Sequence, residues 1–218
     1  NFRTVPNFLD VRSFIWKGFT AHLMFTYTID LERSLDEIWG GFVRRCKRGI
    51  KHVSTLSPEV LHTNDVSLVL GMLRDRFNEL GLKTPLFSDS YVEELAATFP
   101  ERVTVHSVYI DGSIAGAIVC CVLREGRYGY WIGNVNARRD LNTNEFLTWE
   151  VIQLAKSEGF KKLDLIGTQN QRISEFKSNF NPVLEPFCYV EKTDRLGKIV
   201  NFAYSKLGEG QILPRRSG

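Results

Sequence analysis

Hydrophobic positions recur along this chain at two spacings, and the change from one to the other divides it. In the first hundred residues the spacing is mostly helical. Ser34-Leu35-Asp36-Glu37 has the form of a capping box, in which hydroxyl and carboxylate satisfy each other's backbone donors. Leu35, Ile38, Trp39, Phe42 and Val43 follow on one side, which predicts a helix to about Arg48. "MFTYTIDL" (Met24–Leu31) before it is β-branched and aromatic and reads as a strand. A short strand is predicted over Lys51–Thr55. A second helix is predicted from Asn64-Asp65 to Gly81, with Leu68, Leu70, Met72, Leu73, Phe77 and Leu80 on its apolar side. Gly81 suits the left-handed residue that ends a helix. A third helix is predicted from Ser88 to Thr98, stopping before Pro100.

Beyond Pro100 the period becomes two. "RVTVHSVYI" runs into Asp111-Gly112, a hairpin signal, then "SIAGAIVCCVLRE", a turn at Gly126 and "YGYWIGNV". This predicts a three-stranded antiparallel meander. Asn142-Thr143-Asn144-Glu145 opens a helix carrying Phe146, Leu147, Val151, Ile152 and Ala155, closed by Gly159. "KKLDLIG" reads as a strand, "QRISEFKSNF" as a short helix and "VLEPFCYVEK" as a last strand. The expected order is β-α-β-α-α, then β-β-β-α-β-α-β. A meander followed by a βαβ crossover predicts an α/β (α+β) fold with a mixed, mostly antiparallel twisted sheet flanked by helices. Residues 1–24 are an aromatic lead-in without a clear period, expected to be the end of a preceding domain. Residues 25–192 are expected to form the main domain. Residues 193–218 are a basic tail with a short helix expected near Phe202–Leu207.

Composition narrows the function classes. With 218 residues, 43% hydrophobic and 24% charged, the chain can build a sizeable core. A net charge of +3 gives no bulk argument for DNA, so any anion site is local. Cys46, Cys120, Cys121 and Cys188 form no C-x-x-C pair and read as reduced thiols of a cytoplasmic protein. His22, His52, His62 and His106 lack ligand spacing, so no metal is expected. No apolar run reaches the length that spans a bilayer, and no signal peptide is visible. The chain begins with Asn, which reads as part of a longer protein.

Three stretches carry a resemblance: "YTIDLERSLDEIWGGFVRRCKRGIKH", "FLTWEVIQLAKSEGFKKLDLIG" and "ISEFKSNFNP". In this order they resemble the GNAT acyltransferase fold, and within it the Fem-like branch of aminoacyltransferases that build peptidoglycan cross-bridges. The resemblance spans most of Phe25 to Lys192. It implies an N-acyltransferase that joins an activated acyl or aminoacyl group to an amine-bearing acceptor, such as a cell-envelope precursor. It implies no tightly bound cofactor, only a donor: aminoacyl-tRNA, or acyl-CoA as the alternative. A catalytically inactive GNAT-like binding module is the non-enzymatic alternative. Family members usually have two GNAT-like halves, so a missing N-terminal half or a dimer partner is implied. Phe180-Asn181 stands where Phe-Gly is commoner.

Site residues follow partly from this likeness. Lys177 is expected near the donor's phosphates or the acyl carbonyl, and Phe176 as a pocket wall. From spacing alone they read as a surface lysine beside a core phenylalanine. Asp164, before Gly167 at a strand end, could orient an ammonium or take its proton, or simply cap a turn. Arg48 and Lys51 match the family's basic segment. The cluster Arg44, Arg45, Lys47, Arg48 and Lys51 also suits the negative end of the predicted helix, or an electropositive edge for tRNA. The loop "NVNARRDLNTNE" stands where an acyl-CoA enzyme cradles pyrophosphate on backbone N–H groups. It contains no glycine, which hinders close backbone approach and favours the aminoacyl-tRNA donor. Arg138 and Arg139 could supply charge there, or form a solvated pair. Gly133, late in the aromatic strand, is expected to mark a bulge that opens the sheet.

Overall fold

The computed structural model describes residues 1–81, 88–124, 126–166 and 170–192. Gly167 and the tail from 193 onward, with its expected short helix, lie outside the described residues. The chain divides into two compact units, Asn1–Phe25 with the residues from Pro186 on, and Thr26–Glu185.

In the smaller unit, β1 (Phe2–Arg3) pairs antiparallel with β8 (Val183–Glu191) through Phe2↔Val190 and Arg3↔Tyr189. Cys188 N donates to Thr4 Oγ1 at 2.8 Å. Helix α1 (Arg12–Ile15) is held by its aromatics. Phe14 meets Phe2 at 4.8 Å and Phe19 at 5.9 Å between ring centroids, both edge-on. Val11, Cys188 and Val190 are the buried residues beneath them. The lead-in and the end of β8 therefore share a small core.

The larger unit is built on a mixed sheet. Its strands are β2 (Thr20–Asp30, entering at Thr26), β3 (Glu59–Thr63), β4 (Val103–Ile110), β5 (Ser113–Arg124), β6 (Arg127–Asn136) and β7 (Lys162–Asp164). Their spatial order is β2-β7-β6-β5-β4-β3. β4, β5 and β6 are the expected antiparallel meander. Asp111 and Gly112 both adopt positive φ, 52° and 71°, as the two-residue hairpin turn requires. The crossover through α6 (Thr143–Ser157) returns β7 parallel to β6.

Two predictions about the N-terminal half are corrected. The helix expected to run unbroken to Arg48 is two helices, α2 (Leu35–Gly41) and α3 (Arg44–Ser54). Phe42 and Val43 are extended, with ψ 144° and 149°. The capping box at Ser34 and Glu37 forms as expected. The strand expected over Lys51–Thr55 is instead the last turn of α3, and the strand comes later as β3. The β-branched pair Val53 and Thr55 suggested extension, but Cys46, Gly49, Ile50 and Val53 bury one helical face. Burial on a tertiary surface overrode local propensity. Helices α4 (Ser67–Glu79) and α5 (Asp89–Thr98) match the expected second and third helices. Ser88 caps α5 by accepting from Tyr91 N, and Gly81 has φ 65°.

The sheet separates two cores. On one face α2, α3 and α6 cover Ile118, Cys120, Tyr128, Tyr130 and Leu163. On the other, α4 and α5 cover Val103, Val105, Ala117 and Val119. Cys120 belongs to the first core and Cys121 packs against the second, as alternation along a strand dictates. All four cysteines are free. An aromatic cluster ties the first core to α7 (Gln171–Ser178). Phe42 meets Trp149 at 5.4 Å and Phe180 at 5.2 Å, and Phe176 meets Phe180 at 5.5 Å.

Candidate active site

Strands β6 and β7 part company early. Their parallel pairing ends at Gly129↔Asp164. β7 stops there, while β6 runs on to Asn136. Gly129 allows the last contact: a Cβ at that position would lie 2.6 Å from Leu123 Cδ1 and 3.1 Å from the Asp164 carbonyl oxygen. Past this point β6 is distorted against β5. The register jumps from Ala117↔Val135 to Val119↔Ile132, and again to Cys120↔Tyr130. Each jump leaves an extra residue on β6, and the first falls at Gly133 and Asn134. The expected bulge is therefore present. Gly133 faces open space, and a Cβ placed there would meet nothing within 4 Å. β6 thus bulges against β5 just past the point where its pairing with β7 ends.

Lys177 reaches into this region from α7. It is buried, 8% exposed. Its Nζ donates to the carbonyl oxygens of Leu165, at 2.5 Å, and Ile166. It also stands 5.9 Å from the centroid of the Tyr130 ring, close enough for a cation–π attraction. Tyr130 OH donates to Thr148 Oγ1 at 2.8 Å. Burial lowers the Lys177 pKa to about 8, partly opposed by Asp164. The plain reading of Lys177 as a surface lysine does not hold. Phe176 is half-buried against Phe180 and belongs to the aromatic cluster that fixes α7.

Asp164 is fully engaged by its neighbours. Oδ1 accepts from Thr26 Oγ1 at 2.5 Å and from Ile166 N at 2.9 Å, and Oδ2 accepts from Arg127 Nη1 at 2.9 Å. Arg127 Nη2 continues to Glu185 at 2.7 Å, which also accepts from Lys162 at 2.5 Å. The Ile166 contact is the turn-capping geometry, and the ion pair adds a clamp across β6, β7 and the start of β8. This arrangement holds the strand end rather than offering a free base. No local pattern marks Arg127 or Glu185; both look like ordinary strand residues until the sheet order is known.

The remaining candidates are dispersed. Arg48 and Lys51 are exposed on the outer face of α3. Because the helix breaks at Phe42-Val43, Arg44 and Arg45 sit in its first turn. Cations are disfavoured there, so the helix-dipole account of this cluster fails for them. Arg138 forms a two-pronged pair with Asp140 at 3.0 and 2.9 Å. Arg139 pairs with Glu79 at the end of α4. The loop backbone is also engaged. Ala137 N and Arg138 N both donate to the Ala115 carbonyl, at 3.0 and 3.3 Å, and Arg138 N also to Asn136 Oδ1 at 2.8 Å. A cavity of about 670 Å³ lies between α4 and this loop. Met72, Asp75, Arg76 and Glu79 line it from α4, and Val135, Ala137, Arg139 and Asp140 from the strand end and loop. Among the described residues no group of three or more His, Cys, Asp or Glu side chains could hold a metal ion. No described helix is long and apolar enough to cross a membrane.

The family model for the acetyltransferase (GNAT) domain matches residues 41–178, and the chain belongs to that family. It is therefore an acyltransferase. Solved structures share the fold at low identity. The C-terminal domain assigned to a lysylphosphatidylglycerol synthetase of Agrobacterium fabrum is 14% identical, with TM-score 0.62 over 90% of this chain and 69% of that one. FemX is 11% identical, with TM-score 0.64 over 85% of this chain and 64% of that one. L-PGS from Bacillus licheniformis is 13% identical, with TM-score 0.60 over 91% and 70%. The chain thus spans less than two thirds of FemX. The Fem-like resemblance agrees with these likenesses at the level of fold. No curated protein matches the chain.

Proposed function

We propose that this acyltransferase takes an aminoacyl group from tRNA and passes it to a primary amine, with Lys177 as the charged group beside the reacting carbonyl. The observation that carries the donor assignment is the loop after β6. A diphosphate cradle needs unpaired backbone N–H groups and room for close approach. Here Ala137 N and Arg138 N are already bonded to the Ala115 carbonyl, and the loop has no glycine. The exposed cations Arg44, Arg45, Arg48 and Lys51 on α3 offer instead a surface for a polyanion. FemX and the two lysylphosphatidylglycerol-related structures share the fold, and FemX supports peptide-bridge chemistry only through the resemblance already described.

The chemistry asked of the site is modest. As the acceptor amine attacks, negative charge grows on the acyl oxygen. A fixed ammonium in a dry cleft stabilises that charge far better than water does. Lys177 is held by two carbonyl oxygens and the Tyr130 ring, so little reorganisation is needed when the charge appears. Lys177 is the proposed catalytic residue. Phe176 is a packing residue that sets its position, and Asp164 holds the strand end through Arg127. Arg48, Lys51, Arg138 and Arg139 are donor-binding candidates, and the bulge at Gly133 opens the cleft that receives the acyl group.

The test uses a generic amine. Radiolabelled aminoacyl-tRNA is incubated with the protein and hydroxylamine, and the aminoacyl hydroxamate is measured. Formation by the wild type and its loss in Lys177→Ala supports the reading. Turnover of acetyl-CoA with no reaction of aminoacyl-tRNA would move the donor to coenzyme A, in line with the acetyltransferase description of the family.

A further inference from the structure

Glu79 receives two guanidinium groups on one oxygen. Arg76 Nη1 approaches Oε2 at 3.1 Å from the same helix, and Arg139 Nη2 reaches the same Oε2 from the loop after β6. Both arginines and Glu79 line the cavity between α4 and that loop. Glu79 is the last residue of α4, where the negative end of the helix dipole opposes a carboxylate. It is half-exposed, 55% at the side chain. A solvent-exposed pair of this kind is weakly held. Arg138 does not compete, because Asp140 already binds it on two prongs.

From these contacts the geometry points to an anion clamp made by Arg76 and Arg139, in which Glu79 is the resident stand-in for a phosphate or carboxylate of a ligand. The ligand displaces Glu79 and takes its two guanidinium partners. Arginine suits this role because its planar fork matches both anions. Beside the clamp the cavity is lined by Met72, Ile114, Val135 and Ala137 and by the polar side chains of Asp75, Asn136 and Asp140, of which Asp140 is held by Arg138. A ligand for this cavity thus presents one anionic group to the two arginines and apolar surface to Met72, Ile114, Val135 and Ala137. Assigning that ligand to the acyl donor, for which Arg139 is a binding candidate, rests on the acyl-transfer reading; the clamp itself does not.

The test is direct binding, so it fails or succeeds apart from any activity. Inorganic pyrophosphate and malonate, standing for the phosphate and carboxylate sources, are titrated calorimetrically into the wild type and variants. Glu79→Gln empties the clamp and is expected to tighten binding of at least one probe by about fivefold or more. Glu101→Gln makes the same charge change on the surface and is expected to leave affinity alone. Arg76→Gln and Arg139→Gln, each in the Glu79→Gln background, are expected to return the affinity to the wild-type level or below, while Arg138→Gln does not. The probe that gains more identifies the anion. Equal gains in Glu79→Gln and Glu101→Gln would show bulk charge only and overturn the clamp. So would Glu79→Gln with no gain for either probe, or binding indifferent to Arg76 and Arg139.

Discussion

Lys177 Nζ lies 2.5 Å from the carbonyl oxygen of Leu165, the first residue after β7 ends. A buried ammonium is thereby tied to the backbone at the point where the central strands separate. Burial lowers its pKa from 10.5 to about 8. At about 1.4 kcal/mol per unit, keeping the charge there costs the fold about 3 kcal/mol. A side chain that destabilises the fold and sits where the central strands separate fits a functional group. Lys177→Met is expected to lower aminoacyl transfer by about 10²-fold or more while leaving the urea midpoint unchanged or higher. Loss of both activity and stability would make Lys177 a structural strut.

The same shift predicts a pH dependence with a definite sign. Native Lys177 releases its proton near pH 8, and the unfolded chain near 10.5. Between those values the unfolded state binds more protons, so stability rises with pH across that window. Activity goes the other way. A rate that needs the ammonium falls as pH rises through about 8, and Lys177→Arg, with its permanent charge, is expected to flatten that limb. A rate that climbs through pH 8 in the wild type would instead make Lys177 a base.

Acid sensitivity should come from a different pair. His106 is fully buried, and its Nδ1 is 2.9 Å from His62 Nδ1 while Nε2 is 2.9 Å from Tyr128 OH. Burial, and then the neighbouring His62, lower its pKa from 6.5 to about 3, and burial lowers that of His62 too. The unfolded chain therefore takes up protons below about pH 6.5 that the native chain refuses, and stability is lost as pH falls from there toward 3. The sensitive element is edge strand β3, where His62 pairs with His106 in register. Thermal unfolding between pH 7 and 4 is expected to show a shallower loss in His106→Gln than in the wild type. Equal slopes would place the acid response elsewhere.

Much of the frame is legible in the sequence. The capping box at Ser34, the Asp111-Gly112 hairpin, the Gly81 stop and the bulge at Gly133 are local signals, each fixed by backbone chemistry within a few residues. The break at Phe42-Val43 escapes the periodicity because the apolar spacing continues smoothly through it, although Gly40-Gly41 just before it is a local breaking signal. A contact distant in the chain also engages the extended residues there: Val43 N bonds the Asn179 carbonyl at 3.0 Å. The strand expected at Lys51–Thr55 failed for a similar reason, since the face it buries packs on another element. Lys177 stands out only through resemblance; its burial does not follow from a Phe-Lys pair on a short helix. Arg127 and Glu185 carry no local signal at all.

The Arg127 clamp offers a test of how the strand ends are held together. Arg127 bridges Asp164 and Glu185 at 2.9 and 2.7 Å, with both carboxylates nearly buried. Arg127→Met leaves Asp164 without its ion-pair partner and Glu185 with Lys162 alone, and removing one side of a buried pair typically costs about 3–5 kcal/mol. The triple change Arg127→Met, Asp164→Asn, Glu185→Gln is expected to recover part of that loss in urea unfolding. No recovery would mean that geometry, rather than charge, makes the site intolerant.

Close approach of β6 and β7 is a separate requirement. A Cβ at Gly129 would meet Leu123 Cδ1 and the Asp164 carbonyl. Leu123 can move, but the backbone carbonyl cannot without shifting β7. Gly129→Ala is expected to cost about 1–3 kcal/mol and to reduce activity beyond its effect on stability. Gly133→Ala, facing open space, is expected to be tolerated by the fold. Equal destabilisation by the two would contradict the geometry given for the strand separation.

The donor is the central claim, and parallel calorimetric titration with aminoacyl-tRNA and acetyl-CoA tests it most directly, on the wild type and on Lys177→Ala. The expected result is aminoacyl-tRNA binding that weakens with added salt and in Lys177→Ala, and no saturable binding of acetyl-CoA. Tight acetyl-CoA binding, with aminoacyl-tRNA inert, would contradict it.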